Sequence, residues 1–162
     1  MRKLGFYMML LFVLSACNST VSEELPEEKP DDFAFSLKYG VTAANELNTY
    51  DDTYTKDLVE DGTATTDLVL SNEEMKMIYE KFRNADVLGL PEEQGGSTCM
   101  DPYNRYELTM TVDGEEYNLK WDTSCESRAL NNWEETRISI DNEMIDPKEE
   151  YQSLPEPNGG YD

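Results

Sequence analysis

The sequence predicts an α+β domain in which an antiparallel sheet of about five strands packs against two helices. Two Asp-Gly pairs, Asp61-Gly62 and Asp113-Gly114, each lie between segments rich in strand-forming residues and therefore indicate hairpins. Two other segments, one after residue 71 and one after residue 126, repeat apolar residues at helical spacing. The 162 residues fit a single domain rather than several.

Three of the predicted strands precede the first helix. Alternate positions before Gly40 are apolar, as a strand with one buried face requires: Phe33, Phe35, Leu37 and Tyr39. Residues 41–52 show no clean period and are predicted to form a loop or a short helix. Residues 53–60 and 63–70 are rich in Thr, Val, Leu and Tyr, and they form the two strands of the first predicted hairpin.

The first helix is predicted to begin at a capping box, with Ser71 as the N-cap and Glu74 at the third helical position. One face of this helix is apolar and consists of Met75, Ile78, Tyr79 and Phe82. The helix should end near Ala85, because a Gly and a Pro follow soon afterwards. Residues 89–102 are then predicted to form a long loop.

The second hairpin and the second helix complete the predicted fold. Apolar residues alternate on both sides of Asp113-Gly114: Tyr106, Leu108, Met110, Val112, Tyr117, Leu119 and Trp121. Residues 126–145 are predicted to be a helix, in which Arg137 interrupts the apolar face formed by Leu130, Trp133, Ile140 and Met144. Residues 137–140 fit a short strand as an alternative, and Asp146-Pro147 can start a further helical turn. We assign the aromatic residues of these segments to the core rather than to a ligand platform.

The N-terminus has the layout of a secretory signal. Two basic residues, Arg2 and Lys3, precede an apolar run over residues 4–13, which is too short to cross a hydrocarbon core of about 30 Å as a helix. Small residues follow, and Leu14-Ser15-Ala16-Cys17 resembles the bacterial lipobox. That resemblance implies cleavage before Cys17, acylation of its sulfur, and a lipid anchor on the outer face of the bacterial cytoplasmic membrane.

We expect four segments along the chain. Residues 1–16 would be the signal peptide, and residues 17–32 would be the lipidated cysteine followed by an acidic, disordered tether with few apolar side chains. Residues 33–153 would form the single α+β domain. Residues 154–162 are rich in Pro and Gly and would form an irregular tail.

Several short motifs together resemble a group of small, uncharacterised lipoproteins of Gram-positive bacteria. They are the lipobox at residues 14–17, the stretch over residues 48–57, the capped helix start Ser71-x-x-Glu74 with Ile78-Tyr79, and the ending Tyr151-x-x-Leu-Pro155 with Gly159-Gly160-Tyr161. The resemblance implies a location outside the cell and implies no particular chemistry.

Two cysteines remain once Cys17 is assigned to lipid. In a hairpin centred on Asp113-Gly114, Cys125 lies opposite residue 102, three residues from Cys99. We therefore expect a Cys99–Cys125 disulfide, which is consistent with an oxidising compartment and would contribute roughly 3 kcal/mol by chain entropy. The alternative is a pair of buried free thiols. A catalytic thiol is disfavoured, because the chain contains no His to activate it.

Composition excludes several classes of function. The chain has 13 Lys and Arg against 35 Asp and Glu, a net charge of −22, which argues against a nucleic-acid partner. The absence of His removes His-based catalysis and His metal sites. Asp51 and Asp52 are the best local oxygen cluster and are weak candidates for Ca²⁺, although turn chemistry explains them better. No cofactor is expected.

The leading hypothesis is a non-catalytic, lipid-anchored domain that presents a recognition surface to a protein, a peptide or a cell-wall component. It combines an anchor, a tether and a folded domain with no reactive constellation in the sequence. The second hypothesis is a carboxylate-based hydrolase of wall or glycan substrates, which requires acids to converge in one pocket. The third is a weak divalent-cation binder.

Overall fold

The computed structural model describes residues 24–92 and 98–161. They form an antiparallel sheet with packed helices, which confirms the α+β class, with six strands and three α-helices in this part of the chain. The strands are β1 (Ala34–Gly40), β2 (Asn45–Asn48), β3 (Thr53–Asp57), β4 (Thr63–Asp67), β5 (Arg105–Val112) and β6 (Glu115–Asp122). The helices are α1 (Asn72–Asn84), α2 (Arg128–Ile140) and α3 (Glu149–Gln152), with a 3₁₀ turn at Val87–Gly89 and a π-helical turn at Asp141–Ile145.

The sheet order is β4-β3-β2-β1-β5-β6, so β1 lies near the centre and β4 and β6 are the edges. The first four strands form a meander, and α1 carries the chain back so that β5 pairs with the free side of β1. The β5–β6 hairpin has the register that the sequence predicts, since Val112 lies opposite Glu115. In the described ranges no helix combines the length and apolar character that crossing a bilayer demands.

The two faces of the sheet differ sharply in chemistry. The face toward the helices carries the buried side chains of β1 and β5: Phe35, Leu37, Tyr39, Tyr106, Leu108, Met110 and Val112. We call the opposite face the polar face. It contains two complete cross-strand rows, Thr65-Thr55-Glu46-Lys38-Glu107-Lys120 and Asp67-Thr53-Asn48-Ser36-Thr109-Asn118. The alternation of side chains along each strand produces this separation.

Capping and burial explain where the two long helices lie. The Ser71 side chain accepts from Glu74 N and the Glu74 carboxylate accepts from Ser71 N, so the capping box is confirmed. Ser127 caps α2 by accepting from Leu130 N. Both helices turn their apolar stripes to the sheet, and Phe82 meets Trp133 there at 5.5 Å between ring centroids.

Three local predictions and one alternative differ from the structure. Residues 41–52 contain β2 rather than only a loop or short helix, because Leu47 fills a core position between β1 and β3. The first hairpin turns over residues 58–62, a wider loop than the two-residue Asp61-Gly62 turn. Residues 137–140 belong to α2, which confirms the predicted helix at these positions, so the alternative of a short strand is wrong. The last helix begins after Lys148 rather than at Asp146-Pro147.

Residues 24–32 lie against the domain, whereas the sequence predicts a disordered tether up to residue 32. Leu25 is only 7% exposed and belongs to the core, and the Tyr79 hydroxyl donates to the Pro26 carbonyl at 2.8 Å. The Asp32 carboxylate accepts from the backbone N–H groups of Asp113 and Gly114 at the β5–β6 turn. The expected signal peptide and Cys17 lie outside the described residues.

The C-terminal segment is irregular but docked. Asn158 exchanges backbone hydrogen bonds with Leu58 and Glu60 at the first hairpin loop. The Tyr161 hydroxyl donates to Asp57 Oδ2 at 2.6 Å. Leu154 is buried at the edge of the core. The tail therefore holds the β3–β4 end of the sheet rather than extending into solvent.

Replacing Leu25 with Ala tests the docking of the N-terminal segment. We expect Leu25→Ala to lower the free energy of unfolding by about 2 kcal/mol, because it removes a buried side chain. Urea unfolding followed by fluorescence measures this change. The exposed neighbour Glu27 supplies the control, and Glu27→Ala should leave stability within about 0.5 kcal/mol of the parent. Equal, negligible effects of both changes would show that the segment is free.

Candidate functional site

The disulfide pairs Cys99 with Cys125 at the open end of the β5–β6 hairpin. The two Cα atoms are 4.9 Å apart, across a sequence separation of 26 residues. The backbone N–H groups of Cys99 and Met100 both donate to the Ser124 carbonyl at 3.0 Å. This cross-link fixes the loop that precedes β5 against the segment that leads into α2.

A cleft of about 360 Å³ opens beside this disulfide, and we call it the disulfide cleft. Four separate segments form its walls: the end of β1 at Val41, the loop before β5 at Asn104, the disulfide itself at Cys125, and the first turns of α2 at Leu130 and Asn131. The volume lies at the lower end of the range for small-molecule pockets. The walls mix apolar side chains with hydrogen-bonding groups.

Glu134 lines the disulfide cleft and is held from two sides. Its Oε1 accepts from the Tyr106 hydroxyl at 2.7 Å and from the Asn104 side-chain amide at 3.2 Å. Its Oε2 lies 3.8 Å from Arg137 Nε. Glu126 lines the same cleft from an exposed position. The cleft therefore presents two carboxylates, one of them fixed in orientation.

Next to Glu134 lies a group of buried and half-buried polar side chains that we call the Arg137 cluster: Tyr39, Tyr54, Tyr106, Glu134, Arg137 and Asp141. Arg137 pairs with Asp141 at 2.5 Å and lies over the Tyr39 ring, 5.3 Å from its centroid. The Tyr39 hydroxyl donates to Asp141 Oδ1 at 3.0 Å and is 2.8 Å from the Tyr54 hydroxyl. The cluster thus links α2 and the π-helical turn to β1, β3 and β5.

Burial changes the ionisation of this cluster. Burial raises the pKa of Asp141 from 3.8 to about 6, while the charge of Arg137 and the Tyr39 hydrogen bond oppose the increase. Burial likewise raises the pKa of Tyr39 and that of Tyr106 well above the usual tyrosine value. Arg137 Nε is buried and has no hydrogen-bond partner within the described ranges. The network is therefore incompletely satisfied around its only cation.

The candidate cation ligands Asp51 and Asp52 lie in the turn between β2 and β3. Asn48 Oδ1 accepts from the backbone N–H groups of Tyr50 and Asp51, and Asp51 Oδ2 accepts from the Asn48 amide. Asp52 adopts φ 54°, a turn conformation that Asp tolerates. In residues 24–92 and 98–161, no group of three or more acidic or cysteine side chains is arranged to hold a metal ion.

The sequence alone does not single out Glu134, Asp141 or the cleft as functional. Arg137 interrupts an apolar face in the sequence, although the spacing of Glu134, Arg137 and Asp141 at i, i+3 and i+7 indicates that the three side chains share one side of a helix. Opposite charges at that spacing lie on one side of a helix and can pair. No local pattern indicates the cleft, because its walls come from segments far apart in the chain.

Comparison with protein-family models, with curated proteins and with solved structures finds no match for this chain.

The raised pKa of Asp141 predicts a pH-dependent stability. At pH values between about 4 and about 6, Asp141 is protonated in the folded protein but ionised in the unfolded protein. The free energy of unfolding therefore falls as the pH rises through this range. The full elevation corresponds to about 3 kcal/mol, and roughly 2 kcal/mol of it should be lost between about pH 4.5 and about pH 7. Urea unfolding at both pH values measures this loss.

Asp141→Asn should remove that part of the pH dependence, because the amide does not titrate. Asp67→Asn, on the exposed edge strand, is the control and should keep the full dependence. If Asp141→Asn showed the same pH dependence of stability as the parent, the assignment of that dependence to Asp141 would be contradicted.

Proposed function

We propose that this protein is a non-catalytic binding domain, tethered by lipid on Cys17 to the outer face of the cytoplasmic membrane, and that its ligand occupies the disulfide cleft. The observation that carries the proposal is the fixed Glu134 carboxylate in a cleft of mixed walls. A few oriented polar groups among apolar side chains are typical of binding sites. The disulfide stiffens the site and is consistent with an extracytoplasmic location.

The carboxylates that line the cleft favour a ligand that carries hydrogen-bond donors. Glu126 and Glu134 contribute carboxylates, and none of the described lining residues is basic. Val41, Met100 and Leu130 supply apolar contact for the rest of the ligand. We therefore infer a peptide, or the peptide part of a wall component, with an ammonium or amide group directed at Glu134. A carboxylate-rich ligand would be repelled, since the whole chain carries a net charge of −22.

The length of chain before the domain limits the reach of the proposed anchor. Glu24, the first described residue, lies seven positions after Cys17, and seven fully extended residue steps span at most about 25 Å. The domain would therefore stay close to the membrane, a position suited to ligands at the membrane–wall boundary. Mass spectrometry of the native protein should find fatty acid on Cys17, and a bare sulfur would contradict the anchor.

A carboxylate-based hydrolase remains the second candidate, because Glu126 and Glu134 line one cleft. The hydrogen bonds from Tyr106 and Asn104 hold the Glu134 carboxylate in one orientation, which suits ligand binding as well as catalysis. Release of reducing sugar ends from wall glycan would separate the two functions. A loss of that release in Glu134→Gln, but not in Glu135→Gln on the exposed side of α2, would favour the hydrolase.

Two adjacent asparagines on α2 give a matched test of the binding site. Both are exposed, but only Asn131 lines the disulfide cleft, whereas Asn132 lies on another part of the helix surface. We expect Asn131→Arg to fill the cleft, pair with its acids and reduce the capture of wall peptides at least about tenfold, equivalent to about 1.4 kcal/mol. Asn132→Arg should bind like the parent.

Calorimetry with a fractionated wall digest measures that binding. Equal binding by both variants, or no saturable binding of any wall peptide to the parent, would contradict the proposed site. Thermal unfolding of both variants confirms that each retains its fold.

A further inference from the structure

The outer edge of β6 exposes a regular set of backbone groups. β6 is the last strand of the sheet, and its hairpin turn has positive φ at both Asp113 and Gly114. Such a two-residue turn makes Val112 and Glu115 a hydrogen-bonded pair. The alternation of an antiparallel ladder then directs the backbone groups of residues 116, 118 and 120 away from β5. Within the described part of the chain no strand pairs with them.

The side chains at this edge continue a charge pattern across the polar face. One cross-strand row runs Glu46, Lys38, Glu107, Lys120 on neighbouring strands, with alternating sign. Lys120 Nζ lies 2.9 Å from Glu107 Oε1. The row therefore ends at β6 on a cation whose outer side faces solvent. An acidic side chain on a further strand would extend the alternation.

We propose that two copies of this chain pair antiparallel through β6, about a two-fold axis at Asn118, into one continuous sheet. In that register Glu116 of each copy lies opposite Lys120 of the other, and Asn118 lies opposite itself. The backbone groups that point outward then bond one another, since all three positions have the same phase in the ladder. Each copy contributes the same patch, as a two-fold interface requires. This inference does not rest on the proposed ligand or anchor.

Charge selects this register over its neighbours. An axis at Lys120 or at Glu116 would place that residue opposite its own copy, and an axis at Leu119 would place Glu116 opposite Asp122. Like charges directly opposite destabilise a strand pair. An axis at Trp121 would pair Lys120 with Asp122, but only over the last three residues of β6. The Asn118 register forms two Glu116–Lys120 pairs and pairs the strand from Glu115 to Trp121.

Long-range repulsion opposes the pairing, because each chain carries a net charge of −22. The Debye length shortens from about 30 Å at 0.01 M salt to about 8 Å at 0.15 M salt. Dimer formation should therefore increase with salt over that range, since the repulsion between whole molecules is screened more strongly than the contacts within the interface.

Cysteine cross-linking of the full-length chain in the cells that produce it tests the register. In an antiparallel hydrogen-bonded pair the opposing Cα atoms are about 5.5 Å apart, within reach of a disulfide. Oxidation of Asn118→Cys should therefore give a covalent dimer on non-reducing gels. Neither Glu116→Cys alone nor Lys120→Cys alone should give this dimer, because each cysteine would lie about 14 Å from the same cysteine in the other copy. Co-expression of those two variants should restore the dimer.

The expected yield from Asn118→Cys is at least about tenfold above either single variant and above the parent, which carries the same native cysteines. Adding Glu116→Lys to Asn118→Cys should lower the yield, because it places two cations opposite each other. As a control, Glu46→Lys makes the same change in net charge on the distant strand β2, and it should leave the yield of the dimer unchanged.

Equal dimer yields from all three single cysteines would indicate random collision and overturn the proposal. Absence of the dimer from both Asn118→Cys and the co-expressed pair would also overturn it. Adducts of Asn118→Cys with other proteins only would assign this edge to a different partner and overturn it too.

Discussion

Burial of a single aromatic layer between the sheet and its helices is the constraint on which the rest of the structure depends. Trp133 of α2 is fully buried and contacts three rings, Phe82 at 5.5 Å, Tyr106 at 5.8 Å and Trp121 at 5.0 Å between centroids. Large aromatic side chains contribute most of the apolar area in so small a core. In the described part of the chain this layer covers one side only, so the other side of the sheet is free to be polar, and it carries the two rows of polar and charged side chains.

The same layer determines where the charged side chains of α2 lie. With Leu130, Trp133 and Ile140 facing the sheet, the helical period brings Glu134 and Arg137 to the rim of the core, together with Asp141 at the start of the π-helical turn. There they meet the hydroxyls of tyrosines that project from the strands. Buried ion pairs of this kind contribute little net stability once their desolvation is counted. A role in positioning Glu134 at the disulfide cleft therefore explains the Arg137 cluster better than stabilisation does.

Local patterns in the sequence were sufficient to predict most of the helices and strands. Alternation around Asp113-Gly114 predicted the β5–β6 hairpin with its register, and the Ser71 capping box predicted the start of α1. The strand β2 was missed because it has four residues, only one of them a core apolar residue, so no period is visible. The docking of Leu25 was missed because a single apolar residue in an acidic segment gives no periodic signal, and its burial depends on a surface formed by distant residues.

The register of the β5–β6 hairpin predicts the disulfide but not the cleft beside it. The hairpin register alone places Cys125 near Cys99, and the structure contains that disulfide. The cleft beside it could not be anticipated, since it needs the relative positions of β1, the loop before β5 and α2. Pairwise register is a local property of one hairpin, whereas concave shape is a property of the whole fold.

Hydrogen–deuterium exchange of the folded protein tests the one-sided aromatic core most directly. The account predicts that the amides of β1 and β5, which lie at the centre of the sheet under the aromatic layer, exchange only through global unfolding. The outward amides of the edge strand β4 should exchange orders of magnitude faster. Exchange from β1 and β5 as fast as from β4 would contradict a core organised around Trp133.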